Sequence, residues 1–355
     1  MLFAVPLRQP SPLRSQMNGF LHYGIHFAKF LIKRDLKHLI VHVTNHCNFR
    51  CDHCFIDFSP KQDMKLDYYQ ELGRKVGSLF WLDIGGGEPF LREDLAEIIA
   101  AFDCRIIQIP SNGSLPDQMI EQVQRMKSFR DREVVISLSL DGPREVHDSI
   151  RGQAGSYDQV WETARRLKEE AGTYVKILSV LQQSNADTII PFMEEVKKWK
   201  PDYHSVILFR GEGLNKDVCL PPLDKLKELG PRIQKMQESY DYGTSGLAMN
   251  FIRNFHRFVW KTSIRILEEE RQVIPCLGGQ SHMVVYGNGD VSSCEMLAPV
   301  GNIQTKSWSK ITNDEAFRQQ VQDIKDGKCH CTHNCALMDS VLFNPMNIPN
   351  LLRQC

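Results

Sequence analysis

The sequence predicts an α/β protein: an incomplete (β/α)6 barrel followed by a small C-terminal unit of β-hairpin and helix. Three observations carry that prediction. Short β-branched runs alternate with longer amphipathic stretches from Leu39 to about Gly211, the pattern of strand–helix units around a parallel sheet. Polar or glycine-rich turns follow four of the expected strands, where a parallel barrel gathers its working residues. Near the C-terminus, Gly287-Asn288-Gly289-Asp290 separates two short apolar runs, a strong hairpin signal.

Six strands are expected near Leu39–Thr44, Leu79–Ile84, Arg105–Ile109, Val134–Leu140, Tyr174–Leu181 and Ser205–Phe209. Helical segments fall between them near Lys65–Ser78, Arg92–Ala101, Pro116–Ser128, Tyr157–Glu170 and Asp187–Lys198, spaced for right-handed crossovers. Six units leave the barrel incomplete. Further helices are expected near Leu223–Tyr240 and Asn250–Arg271, then hairpin strands at Met283–Tyr286 and Val291–Cys294. The expected division is a helical extension (residues 1–36), the barrel (37–240), a connecting helix (241–274) and the C-terminal unit (275–355). No internal repeat or low-complexity stretch interrupts it.

Lysine plus arginine equals aspartate plus glutamate at 43 each, so no global field draws the chain to nucleic acid. No run of about 18 apolar residues and no secretory signal pattern occurs, so a cytoplasmic location is expected. Eleven cysteines there point to metal rather than disulfides. Cys47, Cys51 and Cys54 form one group; Cys276, Cys294, Cys329, Cys331, Cys335 and Cys355 form another; Cys104 and Cys219 stand alone and are expected as small buried hydrophobes.

Cys47, Cys51 and Cys54 are spaced C-x3-C-x2-C on a loop, so three thiolates can turn to one centre, as ligands of an iron–sulfur cluster do. Three ligands leave one iron of a four-iron cube open, the logic of a catalytic site. A zinc knuckle or incidental buried thiols could share this spacing. After the next strands come Gly86-Gly87-Glu88-Pro89, Ser111-Asn112-Gly113 and Ser139-Leu140-Asp141-Gly142, then His147-Asp148-Ser149-Ile150-Arg151-Gly152.

Together these motifs resemble the radical S-adenosylmethionine (SAM) enzymes, whose signature is C-x3-C-x2-C after the first strand of a partial barrel. His53 stands where members commonly carry an aromatic residue. The resemblance implies a SAM-binding 4Fe-4S cluster on Cys47, Cys51 and Cys54. It also implies cofactor contacts from Gly86, Gly87 and Glu88 at the methionine end, from Asn112 in a polar turn, from Ser139 at the ribose and from Arg151 at the carboxylate. Arginine suits that role because its planar fork donates two parallel hydrogen bonds; the alternative for Arg151 is an ordinary surface salt bridge. The implied chemistry is one-electron cleavage of SAM to methionine and a 5′-deoxyadenosyl radical that takes hydrogen from substrate, with an electron donor such as flavodoxin or ferredoxin.

Cys276 and Cys294 bracket the hairpin as C-x12-G-x4-C, which resembles the opening of SPASM or twitch auxiliary-cluster domains. The full pattern has seven cysteines, whereas six stand here, with Cys329 and Cys331 closer together than in that pattern. One auxiliary 4Fe-4S cluster is therefore expected, held by Cys276 and Cys294 with two of Cys329, Cys331 and Cys335, and Cys355 spare. A second cluster would need His330, His333 or a substrate atom as ligand, and a zinc-stapled terminus would use the same thiolates.

Asp57, Asp141 and Glu295 are carboxylates near the expected mouth, none assigned a role. Two aromatic and basic stretches, Phe20–Lys37 and Phe251–Leu267, are expected to dock on the protein's own core, with peripheral membrane contact or, for the second, the substrate cavity as alternatives. With about 36 residues before the first strand, a separate leader-peptide-binding module is not expected. The substrate is thus expected to be a small molecule, a lipid or a partner-delivered peptide, oxidised or joined by a new bond. The competing class is a non-enzymatic zinc- or iron–sulfur-binding regulator.

Overall fold

A computed structural model describes residues 12–59, 61–129, 132–242 and 244–353; Cys355 and the side chain of Phe20 lie outside the described set. The chain begins with helix α1 (Pro12–Lys33) and enters the barrel at strand β1 (His38–Thr44). There follow α2 (Leu66–Val76), β2 (Ser78–Gly86), α3 (Leu95–Ala100), β3 (Asp103–Ser111), α4 (Pro116–Phe129) and β4 (Glu133–Ser139). After α5 (Arg144–Arg151) and α6 (Ser156–Arg166) come β5 (Tyr174–Leu181), α7 (Ile189–Lys198) and β6 (Tyr203–Leu208). Helices α8 (Leu223–Gln237) and α9 (Gly246–Glu269) lead to β7 (His282–Val285), β8 (Asp290–Ser292) and β9 (Gly301–Asn302). Four helices close the chain: α10 (Trp308–Thr312), α11 (Glu315–Lys325), α12 (Asn334–Leu342) and α13 (Ile348–Leu352).

Six parallel strands run in the order β6-β5-β4-β3-β2-β1, and no pairing joins β6 back to β1, so the expected incomplete barrel is what forms. Apolar strand positions, among them Leu39, Val41, Leu82, Ile84, Ile107, Ile136 and Ile177, are fully buried and pack against the helices, burial that supplies the main stabilising term. The alternate positions are unlike a closed barrel's apolar filling. His38 and His42 on β1, Asp83 on β2, Gln108 on β3 and Lys176 on β5 interleave with those apolar residues. Across the strands His38 pairs with Asp83 at 3.1 Å, and Lys176 donates to Gln108. The face opposite the helices is thus a lumen of mixed lining, where these polar groups stand among Ile40, Trp81 and Ile106.

The expected hairpin forms, with β7 antiparallel to β8, but β7 also pairs in parallel with β1, from His38↔His282 to Val41↔Val285. One continuous sheet therefore runs from β6 to β9. Helix α5 is an element beyond the expected set. Its last turn ends on Gly152, at φ 64°, whose left-handed conformation closes a helix readily. Both aromatic stretches dock on the core: Phe30 of α1 joins Phe251, Phe255, Val259 and Ile266 of α9 and Val341, Leu342 and Phe343 in a second apolar cluster. Cys104 is buried as expected, whereas Cys219 is exposed because the segment after Phe209 runs over the surface before α8 begins. No described helix is long and apolar enough to cross a membrane.

Candidate cluster and cofactor site

The cysteine loop leaves β1 at Thr44 and is held on all sides by backbone. Gly87 N–H donates to Thr44 C=O at 2.8 Å and Glu88 N–H to His46 C=O at 2.9 Å, so the glycine turn after β2 runs along the loop. A Cβ at Gly86 would lie 2.2 Å from Thr44 O, and one at Gly87 would lie 2.0 Å from His46 O. What these glycines permit is the approach of one backbone to another. From the opposite side Asp52 N–H donates to Ile150 C=O of α5 at 2.9 Å, and a Cβ at Gly213 would meet Asp52 O at 2.6 Å. Gly87→Ala is accordingly expected to cost about 1–3 kcal/mol or more, because rigid backbone cannot yield. The check is a lower thermal midpoint together with less iron retained after reconstitution.

Cys51 is buried, and Cys47 and Cys54 are half-buried. Arg151 points Nη1 at Cys51 Sγ, 3.7 Å away, while Nη2 meets Asp141 Oδ2 at 2.7 Å. Burial opposes ionisation of Asp141, but the Arg151 guanidinium, with His53 and His147, holds its carboxyl below the ordinary range. The Arg151 fork is thus aimed into the cysteine loop and locked by a buried counter-charge rather than lying on the surface. Asn112 bonds Asn48 Oδ1 at 2.8 Å and reaches Cys47 Sγ at 4.0 Å, tying the turn after β3 to the same loop. Burial pushes the Cys47 thiol up to about 11, and Cys51 and Cys54 add to the rise. Burial raises Cys54 as well, and buried thiols that resist ionising are a donor set that needs a cationic centre; bound iron reverses the preference.

Glu88 is 1% exposed. It accepts from Ser111 Oγ at 2.9 Å, Asn112 N–H at 2.8 Å and Phe90 N–H at 3.3 Å. Burial raises its pKa from 4.5 to about 7 in spite of those donors. A raised carboxyl contributes stability that is full below its unfolded value and is lost as pH rises through the folded value. Between pH 5 and 8 the wild type is therefore expected to lose up to about 3 kcal/mol relative to Glu88→Gln, measured by anaerobic urea unfolding at both pH values. Ser139 lies at the end of β4, opposite Leu178.

In the C-terminal part, Cys331 lies within electrostatic reach of Cys276, Cys294 and Cys329 and adds to the rise that burial causes in each of them, as Cys276 does for Cys294. Cys335 turns instead to the lumen, its Sγ 3.4 Å from Asp83 Oδ2. There it meets two sets of possible ligands, His38 with Asp83 and Glu295 with His333, within 4.8 Å, but the members of each set already pair with one another. Of the carboxylates singled out in the sequence, Asp57 is exposed and bonds Ser59 and Lys61. Glu295 is buried between His42 at 2.7 Å, His333 at 2.6 Å and Arg210 at 3.2 Å. Burial would raise Glu295, but those donors hold it well below the ordinary range. His38 is raised to about 10: burial opposes its charge, while Asp339 and Asp83 more than offset that. Burial pushes Lys176 down to about 8. The polar alternation along β1, β2, β3 and β5 was the sequence signal for these lumen residues.

Sequence-family models match in the same places. The radical SAM superfamily matches residues 41–196, spanning the cysteine loop, Glu88, Asn112, Ser139 and Arg151. The chain carries a radical SAM domain. The SPASM model, an iron–sulfur cluster-binding domain, matches residues 276–336. This radical SAM chain is 23% identical over 288 residues to the antilisterial bacteriocin subtilosin biosynthesis protein AlbA of Bacillus subtilis, covering 78% of this chain and 59% of AlbA. It is 28% identical over 216 residues to Fe-coproporphyrin III synthase of Methanosarcina barkeri, covering 55% and 50%. The chain thus spans between half and three-fifths of the length of these two relatives. Streptococcus suis SuiB, solved with its precursor peptide SuiA, shares the fold at a TM-score of 0.60 and 17% identity, over 89% of this chain and 74% of that one. These matches support the radical SAM reading of the sequence and not the regulatory alternative. The two domains imply a 4Fe-4S cluster, SAM and auxiliary iron–sulfur binding, and the two thiol groups fit them.

Proposed function

We propose that the chain is a radical SAM enzyme that takes hydrogen from a polar substrate. One observation carries the reading: Cys47, Cys51 and Cys54 share a loop into which the buried Arg151 guanidinium and the Asn112 side chain both point. Bound there, a 4Fe-4S cluster would supply the electron that splits SAM into methionine and a hydrogen-abstracting 5′-deoxyadenosyl radical. Arg151, locked by Asp141, is placed to receive a carboxylate. Gly86 and Gly87 keep the turn tight on the cysteine loop, Glu88 fixes the Ser111–Asn112 turn, and Ser139 is offered at the strand end for a ribose hydroxyl. Cys276, Cys294, Cys329 and Cys331 would hold one auxiliary cluster, with Cys335 outside it.

The lumen favours a substrate with charged or amide groups over an acyl chain, because hydrocarbon would strip the remaining water from the half-buried Asp83, Lys176 and Gln108. A peptide fits that chemistry, as do the names of AlbA and of the SuiB complex; a polar small molecule is the second reading, favoured by the Fe-coproporphyrin III synthase likeness. A flavodoxin or ferredoxin would supply the electron. The test is electron paramagnetic resonance of the reconstituted, reduced full chain: adding SAM should change the signal of the cluster on Cys47, Cys51 and Cys54. An unchanged signal at full iron loading would overturn the reading.

A further inference from the structure

Helix α1 is apolar on two faces, and the core covers only one of them. Its inner face places His26 and Phe30, both essentially buried, against the second apolar cluster, and Tyr23 donates to Leu342 C=O at 2.7 Å. On the outer face, Leu21, Ile25, Ala28 and Ile32 follow the spacing of a single helical stripe. Leu21 is 63%, Ile25 44% and Ile32 80% exposed, with Leu31 beside them at 40%. A solvent-facing helix surface is ordinarily polar, so a stripe of this kind marks a contact. Leu247 of α9, Met346 in the turn before α13 and Leu352 of α13 are exposed too, and both helices share that apolar cluster with α1.

Charge identifies what covers the stripe. Lys29, Lys33 and Arg34 are exposed around it, and no aspartate or glutamate occurs before Asp35. Asp35 pairs with Lys37 at 2.6 Å, and Glu133, which lies near His22, pairs with Arg105 at 2.6 Å. A second copy of the chain would bring two cationic stripes together, which repel. An anionic bilayer neutralises the cations and takes the apolar side chains into its headgroup boundary. We propose that α1 lies flat on an anionic membrane surface, held by Leu21, Ile25 and Ile32 in the interface and by Lys29 and Lys33 at the headgroups. This docking is independent of the proposed chemistry, so it stands or falls without an activity assay.

The test is co-sedimentation of the full chain with vesicles of phosphatidylcholine mixed with phosphatidylglycerol, against phosphatidylcholine alone. The altered side chains are exposed, and circular dichroism together with the cluster absorbance verifies that each variant is folded. Binding should be strong on the anionic vesicles, fall with salt, and drop on the order of tenfold for Ile25→Glu with Ile32→Glu and for Lys29→Glu with Lys33→Glu. No binding to anionic vesicles, equal binding by the variants, or a dimer that Ile32→Glu splits without any lipid dependence would overturn the proposal.

Discussion

Cys51→Ala is expected to bring SAM cleavage down to background while leaving the barrel folded. Cys51 is the most buried of the three loop thiols and the one that receives Arg151 Nη1. Its loss would remove a proposed cluster ligand and the sulfur that Arg151 Nη1 faces. Even an outer-shell change at a metal site costs about 10–100-fold, so loss of a ligand should exceed that. The measurement is 5′-deoxyadenosine formed under strong reductant, with iron per chain determined on the same sample. Cys219→Ala is the matched control, because that thiol is exposed and far from the loop in sequence; it should cleave as wild type does. Cleavage by Cys51→Ala at more than a tenth of the wild-type rate would remove the cysteine loop from the mechanism.

Cys294→Ala should separate cleavage from productive turnover. Cys294 is buried within reach of Cys276 and Cys331, and His333 Nδ1 lies 3.5 Å from its sulfur. Losing it should empty the auxiliary cluster and reduce iron from about eight to about four per chain. The proposed loop cluster would be held by other residues, so uncoupled formation of 5′-deoxyadenosine should persist while conversion of the true substrate is lost. Retention of about eight irons by Cys294→Ala would show that Cys294 is not a ligand.

The parts of this structure that were legible in the sequence are those set by local pattern. Strand β5 falls at Tyr174–Leu181 as expected, because period-two apolar residues and flanking breakers mark it on both sides. The Asn288-Gly289 turn placed the hairpin for the same reason. Long-range pairing was not legible: nothing near His282 announces that β7 will continue the barrel sheet beside β1. Cys47, Cys51 and Cys54 could be grouped from spacing alone, but whether Cys329, Cys331 or Cys335 faces Cys276 depends on how the segment before α12 turns. The structure brings Cys329 and Cys331 there and turns Cys335 to Asp83. Arg151 was recognisable from its motif, yet its lock on Asp141, ten residues away in sequence, follows only once α5 folds back on the end of β4. The exposure of Cys219 was missed because a lone cysteine carries no local signal of where its loop will run.

The proposed role of Cys47, Cys51 and Cys54 is tested most directly by one assay. The full chain, reconstituted anaerobically with iron and sulfide and reduced, is incubated with SAM, and 5′-deoxyadenosine and methionine are quantified by mass spectrometry. Equal amounts of the two products, absent when all three loop cysteines are alanine, are the predicted result. No 5′-deoxyadenosine from protein carrying its full iron, or the same yield from the triple variant, would contradict it.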